Sequence, residues 1–66
     1  MTIYHLVNKK DEQVCSIVVK DNGSFRYMGK GSWGAGCGRG SINDAIERIL
    51  LGCSARKRNS VRLVKA

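Results

Sequence analysis

The sequence has no proline, and it has only one histidine, one tryptophan and one phenylalanine among its 66 residues. It also lacks any run of about 18 apolar residues, so we expect no membrane-spanning helix. A chain this short makes one domain at most and leaves little room for an enclosed catalytic cleft. We therefore expect a single domain over residues 1–66 that acts as a binding protein without a cofactor and is not an enzyme.

Paired cysteines are also missing. The three cysteines, Cys15, Cys37 and Cys53, are odd in number and far apart, which disfavours a disulfide framework. Zinc sites usually need cysteines two to four residues apart, so we expect no metal and reduced thiols. The N-terminal residues lack the charged-then-apolar order of a secretion signal, and the expected location is the cytoplasm. His5 has no neighbouring acid or serine in the sequence with which to act, so no catalytic residue is expected.

Acidic residues are absent after Glu47. Residues 1–47 hold six basic and five acidic residues, whereas residues 48–66 hold six basic residues and no acidic ones. Almost all of the net charge of +7 is therefore carried by the last third of the chain. Such an asymmetry favours a polyanionic partner.

Alternating β-branched and aromatic residues predict strands over residues 2–7, 13–20, 24–29 and 60–65. Asn22-Gly23 predicts a hairpin turn, because both residues tolerate positive φ. A helix is predicted from Ser41, its N-cap, to Gly52, its C-cap. The helix has one apolar stripe, formed by Ile42, Ala45, Ile46, Ile49, Leu50 and Cys53. The order β-β-β-α-β predicts a small α+β fold in which one face of an antiparallel sheet is covered by the single helix.

Glycine fills six of the thirteen positions from Gly29 to Ser41. Because glycine loses much backbone entropy on ordering, we predict a flexible loop over residues 29–40, and a basic C-terminal segment over residues 54–66. Residues 29–34 also match G-x-G-x-x-G. In dinucleotide-binding folds that pattern opens directly into a helix, whereas here seven residues intervene. Nucleotide binding through this loop is therefore the weakest of the functional hypotheses.

The preferred hypothesis is a small basic nucleic-acid-binding accessory protein of the kind that phages or mobile elements carry. The proposed contacts to nucleic acid are Arg56, Lys57, Arg58 and Arg62, assisted by Lys30, Trp33 and Arg39. The order of elements is similar to that of the arm-type DNA-binding domains of phage integrases, which implies a sheet that enters the major groove. No diagnostic motif of that family is present, and the fourth strand after the helix departs from its plan.

An alternative hypothesis is an inhibitor that blocks a host nucleic-acid-processing or defence protein. Its basic surface would then face an acidic protein groove, with Trp33 or Leu51 as anchors. A homodimer that pairs through an edge strand, residues 2–7 or 60–65, is a further expectation.

Overall fold

Five strands and two helices make up the computed structural model, which describes residues 1–51 and 53–66. The strands are β1 (Thr2–Asn8), β2 (Gln13–Val19), β3 (Ser24–Gly29), β4 (Ala35–Arg39) and β5 (Val61–Lys65). The helices are α1 (Ile42–Leu50) and α2 (Ala55–Asn59), and a short 3-10 turn spans Gly31–Trp33. All strands pair antiparallel in the order β4-β3-β2-β1-β5. This arrangement confirms the predicted α+β class.

The predicted strands are confirmed to within one residue at each end. Gly23, with φ of 83°, turns the chain between β2 and β3, and the Asn22 side chain accepts the backbone N–H of Ser24 at 3.1 Å. β1 is paired on both sides, with β2 and with β5. Residues 2–7 are therefore not an edge strand, whereas residues 61–65 are.

The prediction of a flexible loop over residues 29–40 is wrong for Ala35–Arg39, which forms β4 along the outer side of β3. Glycine is compatible with a strand here because aromatic rings take the space that side chains would fill. A Cβ atom on Gly38 would lie 2.8 Å from the ring of Phe25, and one on Gly36 would lie 2.7 Å from the hydroxyl of Tyr27. The two rings thus pack over the bare backbone and compensate for the low strand propensity of glycine.

α1 begins at its predicted N-cap, Ser41, with a capping box in which the backbone N–H of Ser41 donates to the Asp44 carboxylate at 2.8 Å. Gly40 is required just before it, because φ there is 135° and a side chain would collide with that carboxylate. The prediction that Gly52 caps the other end falls on the one residue outside the described ranges.

The core lies between α1 and one face of the sheet. It consists of six buried side chains, Leu6, Cys15, Ile17, Phe25, Ala45 and Ile49. Ile17 in the central strand and Ala45 on the helix are completely inaccessible. The small alanine lets the helix approach the sheet closely, and α1 contacts β2, β3 and β4. Leu51 lies off the apolar stripe, as its position in the sequence predicts, and is 81% exposed.

The basic C-terminal segment, in which the sequence predicts no helix, contains the short helix α2. Ser54 caps it, since its side chain accepts the backbone N–H of Lys57 at 3.3 Å. α2 is also held by a tertiary contact: the Lys57 ammonium lies 4.5 Å from the centre of the Trp33 ring and donates to the Ser32 hydroxyl at 3.0 Å. This short helix is stable because Ser54 caps its N-terminus and Lys57, in its middle, makes a cation–π contact with Trp33.

Candidate functional site

Within residues 1–51 and 53–66, no helix packs on the face of the sheet opposite the core, and we call this face the open face. The residues that belong to this face follow from the alternation of side chains along each strand and from the register in which the strands pair. They are Ile3, His5, Val7, Ser16, Val18, Lys20, Ser24, Arg26, Met28, Ala35, Cys37, Arg39, Arg62 and Val64. Ile3 and Met28 are 42% and 69% exposed. An apolar and basic sheet surface of this extent, left uncovered in so small a domain, is a candidate for contact with a partner.

Three cations, Lys20, Arg26 and Arg39, converge at one end of the open face, and we call them the basic corner. Arg39 lies directly opposite Ser24 on β3, and the backbone N–H of Lys20 donates to the Ser24 carbonyl from the other side at 2.8 Å. Arg26 is two residues further along β3, so it is a diagonal neighbour of both, at about 7–8 Å between Cα atoms. All three side chains are exposed and line one open depression of about 330 Å³.

No acidic side chain among the described residues forms an ion pair with these three cations. No Asp or Glu occurs among the described residues of the open face. The two ion pairs found within residues 1–51 and 53–66 join Met1 to Asp21 and Arg62 to Asp11, and neither includes the basic corner. Arg62, also on the open face, is thus the one cation there that already has an anionic partner in that part of the chain. The corner presents unneutralised positive charge to solvent.

The predicted site residues divide between two places. Arg56, Lys57 and Arg58 lie on α2, and Lys57 contacts Trp33 in the turn that follows Lys30 at the end of β3. We call these five residues the α2 cluster. Arg39 lies at the opposite end of β3, roughly 17 Å away along the strand. The sequence analysis therefore assigns to one site residues that the structure places on two separate basic surfaces.

Trp33 does not extend into solvent. The ring is half-buried and packs against the core, while the Lys57 ammonium lies over its other side. Stacking of a base on Trp33 would require Lys57 to move away first. Arg56 and Arg58, on either side of Lys57, are exposed and remain accessible to an anionic partner.

The geometry of residues 29–34 does not support the hypothesis of a nucleotide-binding loop. Gly29 ends β3, and a 3-10 turn of three residues follows before the chain enters β4. The pattern therefore lacks the strand-to-helix junction whose amide groups hold a pyrophosphate.

His5 lies on the open face opposite Ser16, but no hydrogen bond joins the two side chains in the described part of the chain. Its Nδ1 atom is buried and has no hydrogen-bond partner among those residues. No group of three His, Cys, Asp or Glu side chains that could hold a metal ion occurs among the described residues.

Two side chains have perturbed pKa values. The hydrogen bond and charge of the N-terminal ammonium lower the pKa of Asp21, so this carboxylate stays ionised beside the turn. Burial raises the pKa of the Cys15 thiol, which keeps it neutral in the core. The thiol of Cys37 is exposed on the open face, where this β4 residue lies opposite Arg26 of β3.

Lys20 and Arg26 are the members of the basic corner that sequence reasoning missed. The alternation of β3 places Arg26 on the face opposite Phe25, but the sequence does not show which face the helix leaves open. A period of two in glycines 34, 36, 38 and 40 is the signal that would have found β4 and, with it, the corner.

Comparisons with protein families, with characterised proteins and with solved structures find no match to this chain. Within the described residues, neither helix is of a length and apolarity that would let it cross a membrane. The assignment of function therefore rests on the geometry of the two basic surfaces.

Proposed function

We propose that this protein binds nucleic acid and that the open face is its interface, with the basic corner as the main contact. The observation that carries the proposal is the convergence of three cations, Lys20, Arg26 and Arg39, none of which forms an ion pair with a described residue. A duplex carries one negative charge per about 1.7 Å of its axis. Three cations within about 10 Å of each other would therefore meet several phosphates at once.

Duplex phosphates fit this surface better than the bases of a single strand. Proteins that hold single strands stack bases on exposed aromatic side chains. The four aromatic residues of the chain, Tyr4, Phe25, Tyr27 and Trp33, all belong to the core or pack against it. Among its described residues the open face thus offers cations and apolar side chains but no Phe, Tyr or Trp ring on which a base can stack.

The width of the sheet favours binding without sequence specificity. Five strands span four spacings of about 4.8 Å, or roughly 19 Å, whereas the major groove is about 12 Å wide. A sheet placed face-on cannot enter the groove and must lie across the phosphate backbones. This differs from the groove-entering sheet that the resemblance to arm-type domains implies, and it favours contacts that do not read base edges.

The α2 cluster has a different part in this proposal. Arg56 and Arg58 lie on α2, away from the basic corner, and they would add long-range attraction that speeds the encounter. Arg62 would contribute less than its position suggests, because Asp11 already neutralises it.

The test is fluorescence anisotropy with labelled duplex DNA, duplex RNA and single-stranded DNA over a series of salt concentrations. Three phosphate contacts predict a slope of log K against log salt of about −2.7 on duplex DNA. Arg26→Gln and Arg39→Gln should each reduce the steepness by about 0.9. Arg56→Gln and Arg58→Gln are matched controls, since they remove the same charge from the other surface and should each reduce the steepness by clearly less than about 0.9.

Two results would contradict the proposal in different ways. If the Arg56 and Arg58 variants lose more affinity than the Arg26 and Arg39 variants, the interface is the α2 cluster and the open face is not involved. If the wild-type protein binds none of the three nucleic acids even at low salt, nucleic-acid binding is wrong. The basic surfaces would then be examined as docking sites for an acidic protein, as the inhibitor hypothesis requires.

A further inference from the structure

We infer that two copies of this protein pair through β4, side by side and antiparallel, with Cys37 of each copy at the two-fold axis. β4 is one of the two edge strands of the sheet. The inference is independent of the proposed function, because it rests on backbone geometry and on the side chains of the two edges.

The outward direction of the β4 backbone follows from the hydrogen bonds that bracket it. Gly29 donates to Gly34 at one end, and Gly40 donates to Gly23 at the other. Hydrogen-bonded and non-hydrogen-bonded pairs alternate in an antiparallel ladder, so Gly36 and Gly38 form the hydrogen-bonded pairs with β3. The N–H and C=O groups of the residues between and beside them therefore point away from the sheet; these residues are Ala35, Cys37 and Arg39.

The two edges differ in how well they are protected against pairing. Natural edge strands are blocked by charged side chains, proline, bulges or a covering element. β5 carries two cations, Arg62 and Lys65, and Arg62 forms an ion pair with Asp11. β4 carries none of these devices before its last residue, and its first four residues are alanine, glycine, cysteine and glycine. Another backbone can approach such a strand closely.

The register centred on Cys37 satisfies all of the outward groups of Ala35, Cys37 and Arg39. Arg39 then lies opposite the partner's Ala35, so the two arginines do not face each other. They are four residues apart along the strands, or about 14 Å, which exceeds the Debye length of about 8 Å at physiological salt. Charge repulsion therefore does not forbid the pairing, and the result is a continuous ten-stranded sheet.

The experiment measures the mass of the protein by sedimentation at rising concentration in reducing buffer. The wild-type protein should move from 7.3 kDa toward twice that mass. Cys37→Pro removes one outward N–H without touching the ladder to β3, so this variant should remain at 7.3 kDa. Cys37→Ser keeps the N–H and is the matched control, which should dimerise like the wild type. Circular dichroism verifies that both variants are folded.

A second measurement locates the interface without relying on proline. Spin labels on Cys37, with Cys15 and Cys53 replaced by serine, should report a distance between copies below about 20 Å. Pairing through β5 would separate the same labels by nine strand spacings, or about 43 Å. A protein that stays monomeric at all concentrations, or labels at the longer distance, would overturn the inference.

Discussion

Replacing Gly38 by alanine tests whether residues 35–39 form an ordered strand under aromatic rings. The new Cβ would lie 2.8 Å from the Phe25 ring, and that side chain is only 3% exposed, so it has little room to move. Overpacking of this kind costs about 1–3 kcal/mol. Alanine recovers about 0.5–1 kcal/mol of backbone entropy relative to glycine. The net expectation is a loss of about 0–2.5 kcal/mol in the free energy of unfolding.

The assay is urea unfolding of four proteins: wild type, Gly38→Ala, Phe25→Leu and the double variant. Leucine at position 25 is shorter than the ring and leaves room for the added methyl group. In that background, Gly38→Ala should become stabilising by about 0.5–1 kcal/mol. The coupling energy between the two sites should therefore equal the clash itself, about 1–3 kcal/mol.

Cys37→Ala is the control, because it lies on the opposite face of the same strand and should change stability by less than about 0.5 kcal/mol. If residues 35–39 were a mobile loop, Gly38→Ala would have the same small effect in both backgrounds. A coupling energy near zero would thus refute both the packing of Phe25 over Gly38 and the presence of β4.

The thiols should react in the order of their exposure: Cys37 is exposed and Cys15 is buried with a raised pKa, so a disulfide reagent should modify Cys37 first and Cys15 only on unfolding. Cys37→Ser should remove the fast phase, and a fast phase that persists at its full amplitude would contradict the exposure assigned to Cys37. Lys57→Met should shift the Trp33 emission to longer wavelength and lower stability by about 0.5–2 kcal/mol, since the cation covers the ring. Unchanged emission would show that α2 does not cover Trp33.

Sequence patterns predicted the elements whose stability is local. The alternation in 13–20, the Asn22-Gly23 turn and the cap at Ser41 each depend on neighbours along the chain, and all three are confirmed. β4 could not be recognised in this way, because its glycines have low strand propensity by themselves. They become a strand only when the Phe25 and Tyr27 rings of the neighbouring strand lie over them.

The candidate site shows the same limit. Arg56, Lys57 and Arg58 stand out in the sequence because they are consecutive, and the α2 cluster follows directly from that run. The basic corner unites residues up to 19 positions apart: Lys20 directly after β2, Arg26 on β3 and Arg39 on β4. No linear pattern marks such a cluster, since it exists only through the register of β3 with its two neighbours.

The order of the strands also sets the sequence of events in folding. β1 to β4 can assemble as successive hairpins, whereas β5 must find β1 across the whole chain, and Tyr4 pairs with Lys65. Closing so long a loop delays this step relative to the hairpins. Until it happens, the free side of β1 exposes a β-branched and aromatic strand to other unfinished chains. Misassembly during synthesis or refolding should therefore begin at β1, a strand that is paired along both sides in the finished protein.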